Sequence, residues 1–116
     1  MGDRDTRSTD LPGRYETNLV QLSKVLRKDG NEPNAKFVCA SPGQTKKDGT
    51  VAGGETLDAM QAVDGKSRKH AEFKGNVSSI YTHLLSKAGS SVGHCSGNSE
   101  TYMNGCKAID KVMVDL

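Results

Sequence analysis

Two short apolar runs, Lys36-Phe37-Val38-Cys39-Ala40 and Asn76-Val77-Ser78-Ser79-Ile80-Tyr81-Thr82, limit the folds open to this chain more than any other feature. Each has the length of a strand, and each lies between stretches of helical periodicity. Ahead of the first, Tyr15, Leu19, Leu22 and Leu26 fall at i, i+4, i+7 and i+11, with Arg27 and Lys28 in the last turn and Gly30 just after. That pattern predicts an amphipathic helix buried through those four residues. Between the runs, Glu55 to Val63 predicts a short helix with Leu57, Met60 and Val63 on one side and Asp64-Gly65 as its stop. After the second run, a helix from about Ser99 carries Tyr102, Cys106, Ile109, Met113 and Leu116 as a buried stripe. The order helix-strand-helix-strand-helix predicts an α/β layered fold with parallel strands.

The remaining segments read as connections. Residues 1–13 are a polar lead-in ending in Leu-Pro-Gly, and residues 14–116 hold the domain. Gln44 to Gly54 predicts a loop, Lys66 to Lys74 a second, basic loop, and His83 to Gly97 a third. Two strands alone make a poor parallel sheet, which needs cover on both faces and neighbours at its edges. The expectation is therefore a homo-oligomer, or a missing part of the domain, joined through an exposed sheet edge.

Composition narrows the function. Sixteen Lys and Arg against 14 Asp and Glu leave a net charge of +2, too small for the electrostatic footprint of a nucleic-acid binder. Apolar residues make up 34% of the 116 and Trp is absent, so a single domain with a thin core is expected. No apolar run reaches membrane-span length, and the first residues lack the apolar centre of a signal peptide. The chain itself therefore names no compartment. Cys39, Cys95 and Cys106 have no paired spacing and read as free thiols. His83, His94 and Cys95 lack metal-site spacing, and Gly49 to Gly54 lacks the ending of a phosphate-binding loop, so neither metal nor cofactor is expected.

In open α/β sheets the ligand crevice lies beyond the carboxyl ends of the strands. Two predicted loops reach that edge, Ser41 to Gly54 and His83 to Gly97. Within the second, Ser90 to Tyr102 delivers His94 to the start of the last helix, where Asn98 is a good N-cap and Glu100 suits the first turn. His94 is the candidate catalytic residue, because imidazole exchanges a proton near neutral pH. His83, directly after the second run, is a second candidate for the site, with a strand-end histidine packed against the sheet the favoured reading, and His70 is expected on a solvated face among Lys66, Arg68 and Lys69.

Tyr15-Glu16-Thr17-Asn18-Leu19-Val20, Asn34 to Val38, Ala71 to Val77, and above all His94 with Gly97-Asn98-Ser99-Glu100-Thr101-Tyr102-Met103-Asn104 resemble the sialate O-acetylesterase-like carbohydrate esterases of the SGNH hydrolase superfamily. Ser99 stands where that family usually has Ala. The resemblance implies a three-layer α/β/α sandwich of SGNH/flavodoxin-like type, of which this chain is the C-terminal half. It implies an acetylated carbohydrate as substrate, with His94 as general base for a serine nucleophile. The nucleophile of the family lies in a glycine-aspartate-serine segment, which nothing here matches, and Met1 stands where a Gln of the oxyanion hole is expected. Ser91 occupies the position of the usual acidic partner three residues before the His. The expectation is a chain that begins near an internal methionine of such an esterase and is inactive alone.

Overall fold

The computed structural model describes residues 14–43, 51–86 and 98–116, and for residues 51–53 only the backbone. Among the described residues three helices, α1 (Tyr15–Asp29), α2 (Val51–Val63) and α3 (Ser99–Asp115), surround two strands, β1 (Phe37–Ala40) and β2 (Val77–Ile80). Single 3-10 turns at Ala71–Phe73 and His83–Leu85 precede and follow β2. The strands pair in parallel, Phe37 opposite Val77 and Ala40 opposite Ile80. Helices and a short parallel sheet thus share one α/β unit.

The core lies between one face of this sheet and helices α1 and α2. Val20, Val63, Phe73 and Val77 form one buried cluster, joined by Leu19, Phe37 and Cys39. Tyr15, Ala59 and Met60 form a second, which Leu19 and Cys39 also touch. Phe37 and Cys39 share a face because side chains alternate along a strand. Ala40 has the opposite parity and shares a groove with Ile109 of α3, which packs against both strands.

Several sequence expectations are corrected by the packing. The inward face of α1 is Tyr15, Val20, Ser23 and Arg27, while Leu22 and Leu26 are 43% and 49% exposed. The cause is Arg27, which turns the last helical turn inward. Its Nε and Nη2 donate to the carbonyl of Ala35 at 3.1 and 2.8 Å, and Nη2 also donates to Asn76 Oδ1 at 2.8 Å. Its guanidinium lies 5.3 Å from the ring centres of both Phe37 and Phe73, which cover its faces. An arginine thus takes the place expected of a leucine, its donors met by neutral acceptors and its faces by aromatic rings.

Helix α2 begins at Val51, not Glu55, so the expected loop Gln44 to Gly54 loses its last four residues to the helix. Gly53 and Gly54 add no side chain to an apolar period, which is why the sequence places the start at Glu55. The expected basic loop contains the 3-10 turn Ala71–Phe73, whose Phe73 is wholly buried. His70, expected on a solvated face, is half-buried: its Nε2 lies 2.8 Å from Glu16 Oε1 and its ring 5.6 Å from that of Phe73. On α3 the buried residue is Thr101, while Tyr102 is 49% exposed and Cys106 is exposed, so the expected stripe is not buried at its start. Those two residues line an open groove instead of a core.

Asp64, just past α2, locks β2 in place. Its Oδ2 accepts from the Ser79 amide at 2.6 Å and from the Ser79 and Ser78 hydroxyls at 2.9 and 3.3 Å, while Oδ1 accepts from the Lys66 amide at 2.8 Å. The Ser-Ser centre that weakens this run as a strand is therefore satisfied by one carboxylate. Beside it, Gly65 donates to the Val77 carbonyl at 2.9 Å, and a Cβ there would lie 2.2 Å from the Phe73 carbonyl oxygen.

Candidate functional site

Beyond the carboxyl ends of β1 and β2 the chain builds a clasp from side chains. The Ser41 amide donates to the Ile80 carbonyl at 2.9 Å, which extends the ladder one step past the strands. The Thr82 amide then donates to Ser41 Oγ at 2.9 Å, and Thr82 Oγ1 donates to the Ser41 carbonyl at 2.6 Å. Both residues can do this because a short hydroxyl side chain reaches backbone groups that a strand no longer serves. The clasp fixes where each chain leaves the sheet.

His83 follows at once, in the 3-10 turn closed by Leu85 and Ser86 amides on the Thr82 and His83 carbonyls. Its Nδ1 lies 2.7 Å from the Gly43 carbonyl oxygen. A carbonyl can only accept, so Nδ1 carries a proton and donates it there. The ring of Tyr81 stands 5.9 Å away, tilted by 34°. His83 therefore belongs to the loop edge, half-buried and oriented by backbone, where packing against the sheet was expected.

The amino end of α3 completes this edge. Asn98 Oδ1 accepts from the Thr101 amide at 3.0 Å, as its N-cap role requires. A cavity of ≈ 210 Å³ lies between the clasp and the helix, lined by Ala40, Ser41, Gly43, Thr82, Thr101, Tyr102, Gly105, Cys106 and Ile109. None of these residues is Asp, Glu, Lys, Arg or His. Its volume is below that of a drug-sized site, so it suits one small neutral group.

Larger grooves lie elsewhere. One of ≈ 620 Å³ at the amino ends of the strands is lined by Lys24, Arg27, Lys28, Asn31, Pro33 and Glu72. Its charges serve the fold: Lys24 pairs with Glu72 at 3.2 Å, Arg27 is held as described, and Lys28 belongs to the last turn of α1, where the helix dipole favours a cation.

His94, the candidate base, lies outside the described residues, as do Ser91 and Cys95. Among the described hydroxyls at the sheet, Ser41 is committed to Thr82, and Ser78 and Ser79 to Asp64. Each serves the fold. No group of three or more His, Cys, Asp or Glu side chains among the described residues could hold a metal ion. Among them, too, no helix is long and apolar enough to cross a membrane.

Sequence reasoning gave His83 a packing role because a histidine next to a strand usually has one. The signal that could have corrected it is the pair Ser41 and Thr82, hydroxyl residues ending both apolar runs and marking the point where chain and sheet part. No family model, no curated protein and no solved structure matches this chain.

Proposed function

We propose that the chain is the C-terminal portion of a carbohydrate O-acetylesterase of sialate type, supplying the general base His94 and the crevice wall but not the serine nucleophile. The observation that carries this reading is the parallel pairing of β1 and β2, which sends both following connections to one edge of the sheet. Residues 87–97, which include His94, run between Ser86 and Asn98. Thr82, at the head of the 3-10 turn that Ser86 closes, and Thr101, capped by Asn98, line the same small cavity. The uncharged lining suits an acetyl group or a sugar hydroxyl better than an ion. Helices α1 and α2 beside Phe37 and Cys39, with α3 beside Ala40, fit part of a three-layer sandwich.

In this reading His94 would take the proton of a serine hydroxyl attacking the acetyl carbonyl, and would return it to the departing sugar oxygen. Without the serine the purified chain has no measurable turnover, since each absent member of such a constellation costs orders of magnitude. The test is hydrolysis of an aryl acetate. Expected is no turnover by the chain alone, and turnover that His94→Ala abolishes once a polypeptide carrying a glycine-aspartate-serine segment is supplied. Turnover by the chain alone that is lost in His94→Ala would overturn the division of labour between the two parts.

A second reading is a noncatalytic α/β module that associates through its sheet. It rests on the two strands having no further partner strand among the described residues. Turnover in the complementation assay separates the two.

A further inference from the structure

We propose that the basic loop before β2 builds an anion site, a cavity at the amino end of that strand that takes a small organic phosphate through Lys66, Arg68 and Lys74. The inference goes beyond the esterase reading. It concerns the other end of the strands and uses none of the residues at the clasp.

A cavity of ≈ 460 Å³ lies beside Val77, the first residue of β2, and Lys66, Arg68 and Lys74 line it. The loop from Lys66 to Lys74 has four Lys and Arg residues, and the fourth, Lys69, is taken by Glu16 at 2.6 Å. The three left over are the three on the cavity. Among the described residues none of their side chains makes a hydrogen bond or an ion pair. Two carboxylates stand near. Asp115, at the end of α3, shares the lining but pairs with none of the three, and Asp64 is occupied by Ser78, Ser79 and the Lys66 amide. Like charges gathered around one hollow repel each other, and a bound anion relieves that repulsion.

Arg68 supplies an independent observation. Its φ of 60° lies in the left-handed region, where glycine is at ease and a longer residue is not. Hydrogen bonds on both sides hold the turn there: the Ser67 amide donates to the Asp64 carbonyl at 2.9 Å, and the Lys69 amide to Ser67 Oγ at 3.2 Å. Glycine does occupy Gly75, on the same lining, where φ is 77°. At Arg68 a side chain is kept, exposed, where the backbone favours none. A planar fork that grips a phosphate accounts for its presence.

Charge and size set the ligand class. Three cations against one carboxylate on the lining suit a dianion. The volume is that of a small-ligand site and exceeds a bare phosphate, and Val77 and Leu116 give it an apolar wall. The ligand is therefore a phosphomonoester with a small organic body.

The experiment is a proton-nitrogen correlation spectrum of the full chain titrated with glycerol phosphate, with glycerol as the uncharged comparison. Expected are saturable shifts in the millimolar range at Gly65, Lys66, Arg68, Lys74 and Gly75, weakened by added sodium chloride, and none with glycerol. Arg68→Gly is the decisive variant, because glycine suits the backbone there and only the side chain is lost. It should keep or raise the thermal midpoint of the wild type and weaken glycerol phosphate binding about fivefold, as expected for one exposed charged contact. Lys28→Gln removes the same charge at the amino-end groove of α1 and should leave the affinity unchanged, while Asp115→Asn should tighten it. Unchanged affinity in Arg68→Gly, equal weakening in Lys28→Gln, or the same shifts with glycerol alone would each overturn the proposal.

Discussion

Three side chains carry much of this fold, and two of them are charged. Arg27 is 7% exposed and joins α1, the turn before β1 and the residue before β2 through one guanidinium. Lysine has the charge but not the planar fork, so Arg27→Lys should cost about 2–3 kcal/mol in urea unfolding. Asp64 works similarly on β2. Burial alone would raise its carboxyl, but the Lys66 amide, the hydroxyl and amide of Ser79 and the Ser78 hydroxyl outweigh that and hold it below its usual range. Because the folded value is the lower one, the contribution of Asp64 is complete above the unfolded carboxyl's range and is lost as pH falls through the folded value. Asp64→Ala should therefore destabilise by about 2 kcal/mol at neutral pH, with a smaller difference from wild type in strong acid.

The third is Cys39, whose thiol is pushed up first by burial and then by the Asp64 carboxylate. It stays protonated at neutral pH and should alkylate far more slowly than exposed Cys106 when both peptides are followed by mass spectrometry. None of the three roles was legible in sequence. Arg27 has the look of an ordinary basic last turn, and Asp64 that of a helix stop. What each bonds to lies 8 to 49 residues away for Arg27 and up to 15 for Asp64.

At the scale of elements, type was legible and orientation was not. A helix is signalled by a period inside its own sequence, and the three helices and two strands among the described residues stand where the periods put them, to within the boundary changes at α2 and the strand ends. Which stripe turns inward depends on the neighbour. The leucine face of α1, at Leu22, Val25 and Leu26, is about half exposed because Arg27 binds the opposite side of the last turn to the sheet. The 3-10 turn around Phe73 escaped notice because one buried aromatic in a polar loop has no period at all.

Two substitutions test these junctions. Gly65→Ala places a methyl 2.2 Å from the Phe73 carbonyl and 3.0 Å from the Gly75 amide and Val77 carbonyl, so backbone has to move. A loss of about 2–3 kcal/mol in denaturant unfolding is expected. Asn98→Ala removes the cap from Thr101 and should cost about 1 kcal/mol by the same assay, with faster amide exchange in the first turn of α3.

At the scale of the whole molecule, the described sheet has two parallel strands, each with an outer edge that no further described strand pairs, and α3, which packs against both strands, buries only Thr101. Exposed strand edges recruit further chains, so self-association through a sheet edge is the expected behaviour. Sedimentation checks it: the apparent mass should rise with protein concentration, and a monomer at every concentration with strongly protected strand amides would mean that the chain closes its own core.

The site divides along the same line as the fold. The carboxyl edge and the capped start of α3 were legible, because strand direction and an N-cap are local properties. The clasp of Ser41 and Thr82 and the orientation of His83 were not, because they need the register of two runs about 40 residues apart. The central claim is that the ester chemistry belongs to this edge. The most direct measurement is a proton-nitrogen correlation spectrum of the full chain titrated with an acetylated methyl glycoside. Expected are concerted shifts at Ser41, Gly43, Thr82, His83, Thr101 and Gly105, with Lys24, Lys28 and Glu72 at the amino-end groove unchanged. Shifts confined to the amino-end groove, or none up to the solubility of the sugar, would contradict it.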